Sequence, residues 1–146
     1  MIRTRDQDGC PGALRVHQAA DGPLARIRLP GGIITPGQLD ALAHAAAEFA
    51  GGTLELTARG NVQLRAITDT EAVAAAVADA GLLPSPGHEL VRNIVASPLS
   101  GRVGGVLDVR PWVGRLDAAI QQDAALAALT GRFLFALDDG TGDIAG

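Results

Sequence analysis

Residues 53–67, TLELTARGNVQLRAI, read as two short β-strands meeting at Arg59 and Gly60. Side chains on a strand alternate between its faces. From residue 59 the odd positions carry Arg59, Asn61, Gln63 and Arg65; the even ones carry Gly60, Val62, Leu64 and Ala66. One face is cationic and amide, the other small or apolar. That is the pattern of a sheet covered by helices on one side only.

Working outward, Leu24–Leu29 alternates in the same way. Ala25, Ile27 and Leu29 oppose Arg26 and Arg28, and Pro30, Gly31 and Gly32 end the run. Ala13–Ala19 sets Leu14 and Val16 against Arg15 and His17, with Asp21 and Gly22 as the turn between the two strands. Thr35 and Pro36 open a helix as cap and first residue; Leu39, Leu42, Ala43, Ala46 and Phe49 recur at helical spacing until Gly51 and Gly52. Asp69 caps a second helix with Val73, Val77 and Ala80 inward, ended by Gly81. The order strand, strand, helix, strand, strand, helix predicts an α+β fold with both helices on one face of a mainly antiparallel sheet.

Three segments follow: a polar N-terminal loop over 1–12, the α+β unit over 13–83, and a second, partial α/β unit over 84–146 after the linker Pro84-Ser85-Pro86-Gly87. The second unit holds a loop, VRNIVASPLSGRVGG (91–105), then a helix from about Pro111 with Leu116, Ala119 and Ile120 buried. A helical turn runs from Asp123 to Gly131, and Arg132–Leu137 reads as a strand with Phe133 and Phe135 on one face. No strand partner follows that edge, so the chain is expected to be a fragment cut at Gly146.

Composition excludes several classes. The 146 residues are 47% hydrophobic and 19% charged, enough to bury a core. A single cysteine rules out an intrachain disulfide framework. A net charge of -4 argues against nucleic acid as the main partner. No apolar run approaches a membrane span and the N-terminus lacks an apolar leader, so the expected location is cytoplasmic.

All twelve basic residues are arginine. With three strands in one sheet, Arg15, Arg26, Arg28, Arg59 and Arg65 line one surface, and Glu55 and Asp21 are the nearest acids in sequence. Such a surface is either a solvated sheet face or a polyanion-binding face. The guanidinium fork grips carboxylates bidentately and keeps its charge, which favours a ligand bearing several carboxylates. Arg92, followed by Asn93, adds a cation at the mouth of the second unit, or else a surface salt bridge. Other candidates are weaker. Cys10 reads as incidental, His17, His44 and His88 lack metal-ligand spacing, and Asp138, Asp139 and Asp143 read as a turn. Trp112 reads as a packing anchor, and no phosphate-loop motif occurs. No metal site is expected.

Three ordered motifs, LARIRLPGGIITPGQL, LELTARGNVQLRAI and VRNIVASPLSG, resemble the nitrite/sulfite reductase superfamily. DGCPGALRVH, TARGNVQLR and FLFALDDGTGDIAG resemble its precorrin-3B synthase branch, in aerobic cobalamin biosynthesis. The resemblance implies a ferredoxin-like half-domain followed by the beginning of a catalytic domain that carries a 4Fe-4S cluster and siroheme or a tetrapyrrole substrate. It implies tetrapyrrole carboxylates bound by Arg26 or Arg28, by Arg59 and by Arg92, with Asn61, Gln63, Arg65 and Asn93 as neighbours. It also implies oxidation of precorrin-3A by ring hydroxylation and lactone formation. The alternatives are the N-terminal half of a siroheme-dependent sulfite or nitrite reductase, and a non-catalytic tetrapyrrole-binding module. The reductases more often have Gln where this chain has Gly60. The family's cluster needs four cysteines and this chain has one, so no cofactor is expected to be held here without the missing C-terminal half.

Overall fold

The computed structural model describes residues 9–145. Most of the N-terminal loop expected over 1–12, and Gly146, therefore lie outside the described residues. The first unit runs β1 (His17–Ala19), β2 (Gly22–Ile27), α1 (Pro36–Phe49), β3 (Glu55–Leu56), β4 (Val62–Leu64) and α2 (Thr70–Asp79). The four strands form one antiparallel sheet in the order β1-β2-β4-β3. This is the predicted α+β arrangement. Ala25, Ile27, Val62 and Leu64 all point to the covered face, where Leu42, Ala45 and Ala46 of α1 and Val73 and Val77 of α2 bury them.

Local chemistry sets the element ends. Thr35 Oγ1 accepts from the Gln38 N–H at 3.1 Å and Gln38 Oε1 accepts from the Thr35 N–H at 3.0 Å, a reciprocal cap on α1. Asp69 caps α2 through the Ala72 N–H. The strands are shorter than the alternation suggested because side chains take the backbone groups that a longer ladder would use. Leu29 N–H donates to Asn61 Oδ1, and a short 3-10 turn at Pro30–Gly32 follows. Ala13, Leu14 and Arg15 donate their N–H groups to the Glu89 carboxylate at 2.8, 2.9 and 3.0 Å, so β1 begins only at His17.

The second unit runs β5 (Ile94–Ala96), α3 (Arg110–Gln122) and β6 (Phe135–Leu137). Four readings of the sequence are corrected here. Ile94–Ala96, taken as loop, is a strand, and the edge expected to lack a partner has one: β6 pairs in parallel with β5, Val95 opposite Ala136. The buried side of α3 is Val113 and Ile120 with half-buried Leu116, while Ala119 is exposed. Trp112 is 53% exposed, with the Arg115 guanidinium 5.3 Å from its ring centre, and so does not anchor the packing. Phe133 and Phe135 share a face, their rings edge-on with centres 5.0 Å apart. Among the described residues no helix is long and apolar enough to cross a membrane.

Buried polar contacts tie the two units together. The Glu89 carboxylate of the second unit gathers the three N–H groups of residues 13–15, and Gly12 beside it has no room for a side chain: a Cβ there would lie 2.5 Å from Glu89 Cδ. Arg28 Nε donates to Asn93 Oδ1 at 2.7 Å and its Nη1 donates to the Pro11 carbonyl at 2.7 Å. Asn93 Nδ2 continues to the carbonyls of Leu90 and Gly131.

Candidate functional site

A cavity of about 310 Å³ opens at the seam between the units. Its polar lining among the described residues is Arg26 from β2, Thr57, Arg59 and Asn61 from the turn between β3 and β4, Asn93 from the start of β5, Arg132 from the approach to β6, and Cys10. Among the described residues no carboxylate lines it.

The β3–β4 turn presents Arg59. Thr57 N–H donates to the Asn61 carbonyl, Gly60 N–H donates to the Thr57 carbonyl, and Asn61 N–H donates to Thr57 Oγ1. The turn needs φ +70° at residue 60, and a Cβ there would stand 3.3 Å from Gly32 Cα. Glycine meets both demands, which accounts for Gly60 where a longer side chain was the commoner expectation.

The three arginines differ in how committed they are. Arg26 gives Nε and Nη2 to Gln63 Oε1 at 2.9 and 2.6 Å, two of the five N–H groups a guanidinium carries. The guanidinium groups of Arg59 and Arg132 have no hydrogen-bond or ion-pair partner among the described residues. Both amides in the wall are engaged: Asn61 Oδ1 holds Leu29 and Asn93 holds Arg28, so they shape the site rather than offering free groups. The cavity concentrates positive charge in a partly enclosed volume. It is suited to holding carboxylates, which the guanidinium fork binds bidentately.

Of the eight residues singled out from sequence, the structure brings Arg26, Arg59, Asn61 and Asn93 together. It turns the others elsewhere. Arg28 does not share the open face with Arg26: it is buried between the units, and burial lowers its pKa to about 10. Arg65 is forked onto Asp21 with both bonds at 3.0 Å, which raises its own pKa and lowers that of Asp21. Gln63 bridges Arg26 to Glu55, so an acid interrupts the open sheet face. Arg92, expected at the ligand, is buried and clamps Asp117 of α3 at 2.6 and 2.9 Å.

Arg132 was missed. Local sequence carried no signal for it: Arg132 is brought to the cavity by the pairing of β6 with β5, whose partners lie some forty positions apart in sequence. Asp138, Asp139 and Asp143 lie within 4.8 Å of one another, but they serve the turn. Asp138 accepts from the N–H groups of Gly140, Gly142, Ile144 and Ala145, Asp139 accepts from Thr141, and Asp143 accepts from Ser97 Oγ. The single cysteine of the sequence, Cys10, cannot supply the about four thiolates a 4Fe-4S cluster takes, so the residues of this chain do not fit that cluster.

Residues 17–80 match the nitrite/sulfite reductase ferredoxin-like half-domain. A precorrin-3B synthase from Sinorhizobium sp is 31% identical over 142 residues, 95% of this chain and 30% of that protein. Ferredoxin–nitrite reductases from Leptolyngbya laminosa and Synechococcus elongatus are 37% identical over 82 residues and 32% identical over 126 residues. These alignments cover 53% and 80% of this chain, but 16% and 25% of the reductases. The chain thus spans less than a third of the length of the relatives it matches.

Proposed function

With residues 17–80 recognised as a nitrite/sulfite reductase ferredoxin-like half-domain, we propose that this chain is the substrate-side portion of a tetrapyrrole-handling oxidoreductase resembling precorrin-3B synthase. Its task is to grip the acidic side chains of the macrocycle. The observation that carries the reading is the cavity in which Arg26, Arg59 and Arg132 converge from three separate segments, with no carboxylate among the described lining residues. Structural arginines normally find an acid, as Arg65, Arg92 and Arg110 do here. Among the described residues Arg59 and Arg132 face the cavity with no such partner, and a carboxylate ligand supplies one.

Arg59 and Arg132 bind an acid arm as forks, Arg26 adds its remaining N–H groups, and Asn61 and Asn93 hold the walls in place. The likeness to a precorrin-3B synthase over 95% of the chain favours a precorrin over siroheme as the ligand. Redox chemistry belongs to a C-terminal partner portion that carries the cluster. Domain limits of 13–83 and 84–146 go with this reading, the seam between them forming the site.

The test is titration of the chain with uroporphyrin, a polycarboxylate porphyrin, followed by absorbance. Wild type should bind saturably, and Arg59→Ala should weaken binding by about tenfold or more, the loss of a charge-assisted hydrogen bond of about 1.5–3 kcal/mol. Equal affinity in the two proteins would contradict the assignment.

A further inference from the structure

Arg26 of β2, Gln63 of β4 and Glu55 of β3 stand in one row across the sheet. The ladder pairs Gln63 with Arg26 on one side and with Glu55 on the other, so the three side chains leave the open face as neighbours. Arg26 Nε and Nη2 donate to Gln63 Oε1, and Gln63 Nε2 donates to Glu55 Oε2 at 3.0 Å. The other oxygen, Glu55 Oε1, lies 3.9 Å from Arg65 Nε, and Arg65 is forked onto Asp21. Of this row, Arg26 alone is among the described residues that line the cavity.

The two neighbours of Gln63 allow its amide one orientation. A guanidinium only donates, so it faces the amide oxygen; a carboxylate only accepts, so it faces the amide nitrogen. A row built for stability alone would set the acid beside the arginine, as Asp21 is set beside Arg65. Here an amide is interposed. It holds Arg26 by two hydrogen bonds and leaves the positive charge in place, while the acid that orients the amide stands one strand further from the cavity.

We infer that Gln63 and Glu55 are positioning residues for the cavity: Glu55 orients the Gln63 amide, and the amide oxygen holds the Arg26 guanidinium at the wall with its charge uncancelled. The inference rests on the function proposed above and deepens it by assigning what aims one of the three cations. It also reverses the expected sign of two substitutions. Charge alone says that removing Glu55 leaves the face more positive and tightens a polycarboxylate. Donor count alone says that removing Gln63 frees two N–H groups of Arg26 and tightens it as well. Positioning makes both changes weaken it.

Uroporphyrin titration of the full chain at about 0.15 M salt, where exposed charges are screened beyond about 8 Å, reads the difference. Gln63→Ala weakens uroporphyrin about fivefold and Glu55→Ala about threefold. The sharper variant exchanges the two side chains, Glu55→Gln with Gln63→Glu. Net charge and the hydrogen-bonding capacity of the row stay the same, but the acid now touches Arg26. Its melting temperature stays within about 2 °C of wild type, since a half-exposed ion pair adds little to stability. Its affinity for uroporphyrin falls about tenfold. In NMR the Arg26 Nε–H signal, protected from solvent exchange by Gln63 in wild type, exchanges fast in Gln63→Ala. If the exchanged variant binds as wild type does, or if Gln63→Ala and Glu55→Ala bind more tightly, while Arg59→Ala still weakens uroporphyrin, the positioning role is wrong and the cavity stands. If uroporphyrin does not bind wild type at all, both readings fall.

Discussion

Replacing Arg92 by alanine separates a structural arginine from a binding one. Its Nε and Nη2 fork Asp117 at 2.6 and 2.9 Å, and the two side chains are only 7% and 17% exposed. Gln121 Nε2 also donates to Asp117, at 2.9 Å. Removing the arginine leaves a carboxylate in a mostly dry position with one amide for company. Breaking such a pair from one side costs about 3–5 kcal/mol when both groups are fully buried. Asp117 retains some water contact and Gln121, so about 3 kcal/mol is expected. For a chain of this size that lowers the melting temperature by roughly 6–12 °C. Thermal unfolding followed by circular dichroism measures the loss, and a uroporphyrin titration well below the transition measures binding. Arg92→Ala should lose stability and keep its affinity within about twofold. The paired change Arg92→Met with Asp117→Leu should recover most of the stability, since an apolar pair avoids the desolvation of both charges. An unshifted melting temperature with binding weakened tenfold would refute the reasoning and return Arg92 to the ligand.

Three other outcomes follow from the same contacts. Gly60→Gln should destabilise the chain by about 1–2 kcal/mol, because a side chain at φ +70° is strained and meets Gly32, and it should weaken uroporphyrin by displacing Arg59; chemical denaturation and the same titration check both. Glu89→Ala should cost about 2–4 kcal/mol and expose the amides of Ala13, Leu14 and Arg15 to hydrogen exchange, since all three donate to that carboxylate. Asp138 is held at about 2 by backbone N–H groups of Ala145, Gly142, Ile144 and Gly140, against an ordinary 3.8. The folded chain thus binds fewer protons there than the unfolded one between these values, so the contribution is complete above about pH 4 and is lost as pH falls through about 2. An NMR titration of the Asp138 carboxyl should show that midpoint, and amide protection over 140–145 should fall with it. A midpoint near 3.8 would count against the turn as described.

The first unit was legible because its signals are local and redundant. Val62 and Leu64 alternate against Asn61 and Gln63, Thr35 with Pro36 marks a helix start, and Asp69 marks the next. The second unit was harder. Ile94–Ala96 is too short to show a period, and its partner at Phe135–Leu137 lies far along the chain, so a strand looked like a loop. Alternation also fixes only the side of the sheet from which a side chain leaves, not where its far end goes. Arg26 and Arg28 have the same parity, yet one reaches a cavity and the other is drawn under Asn93, because the second unit covers the end of β2. Arg65 and Arg92 were counted toward the ligand because their partners Asp21 and Asp117 are distant in sequence. Pairing is a tertiary property, and among the described residues it leaves the guanidinium groups of Arg59 and Arg132 facing the cavity.

The central claim is that Arg59 and Arg132 are ligand-facing cations. Arginine side-chain NMR, following the Nε–H signals as uroporphyrin is added at low salt, addresses it directly. The account predicts that the signals of Arg59 and Arg132 move together and saturate, while those of Arg65 and Arg92, already forked onto aspartates, hold still. Movement at Arg65 or Arg92 with none at Arg59 and Arg132 would contradict it.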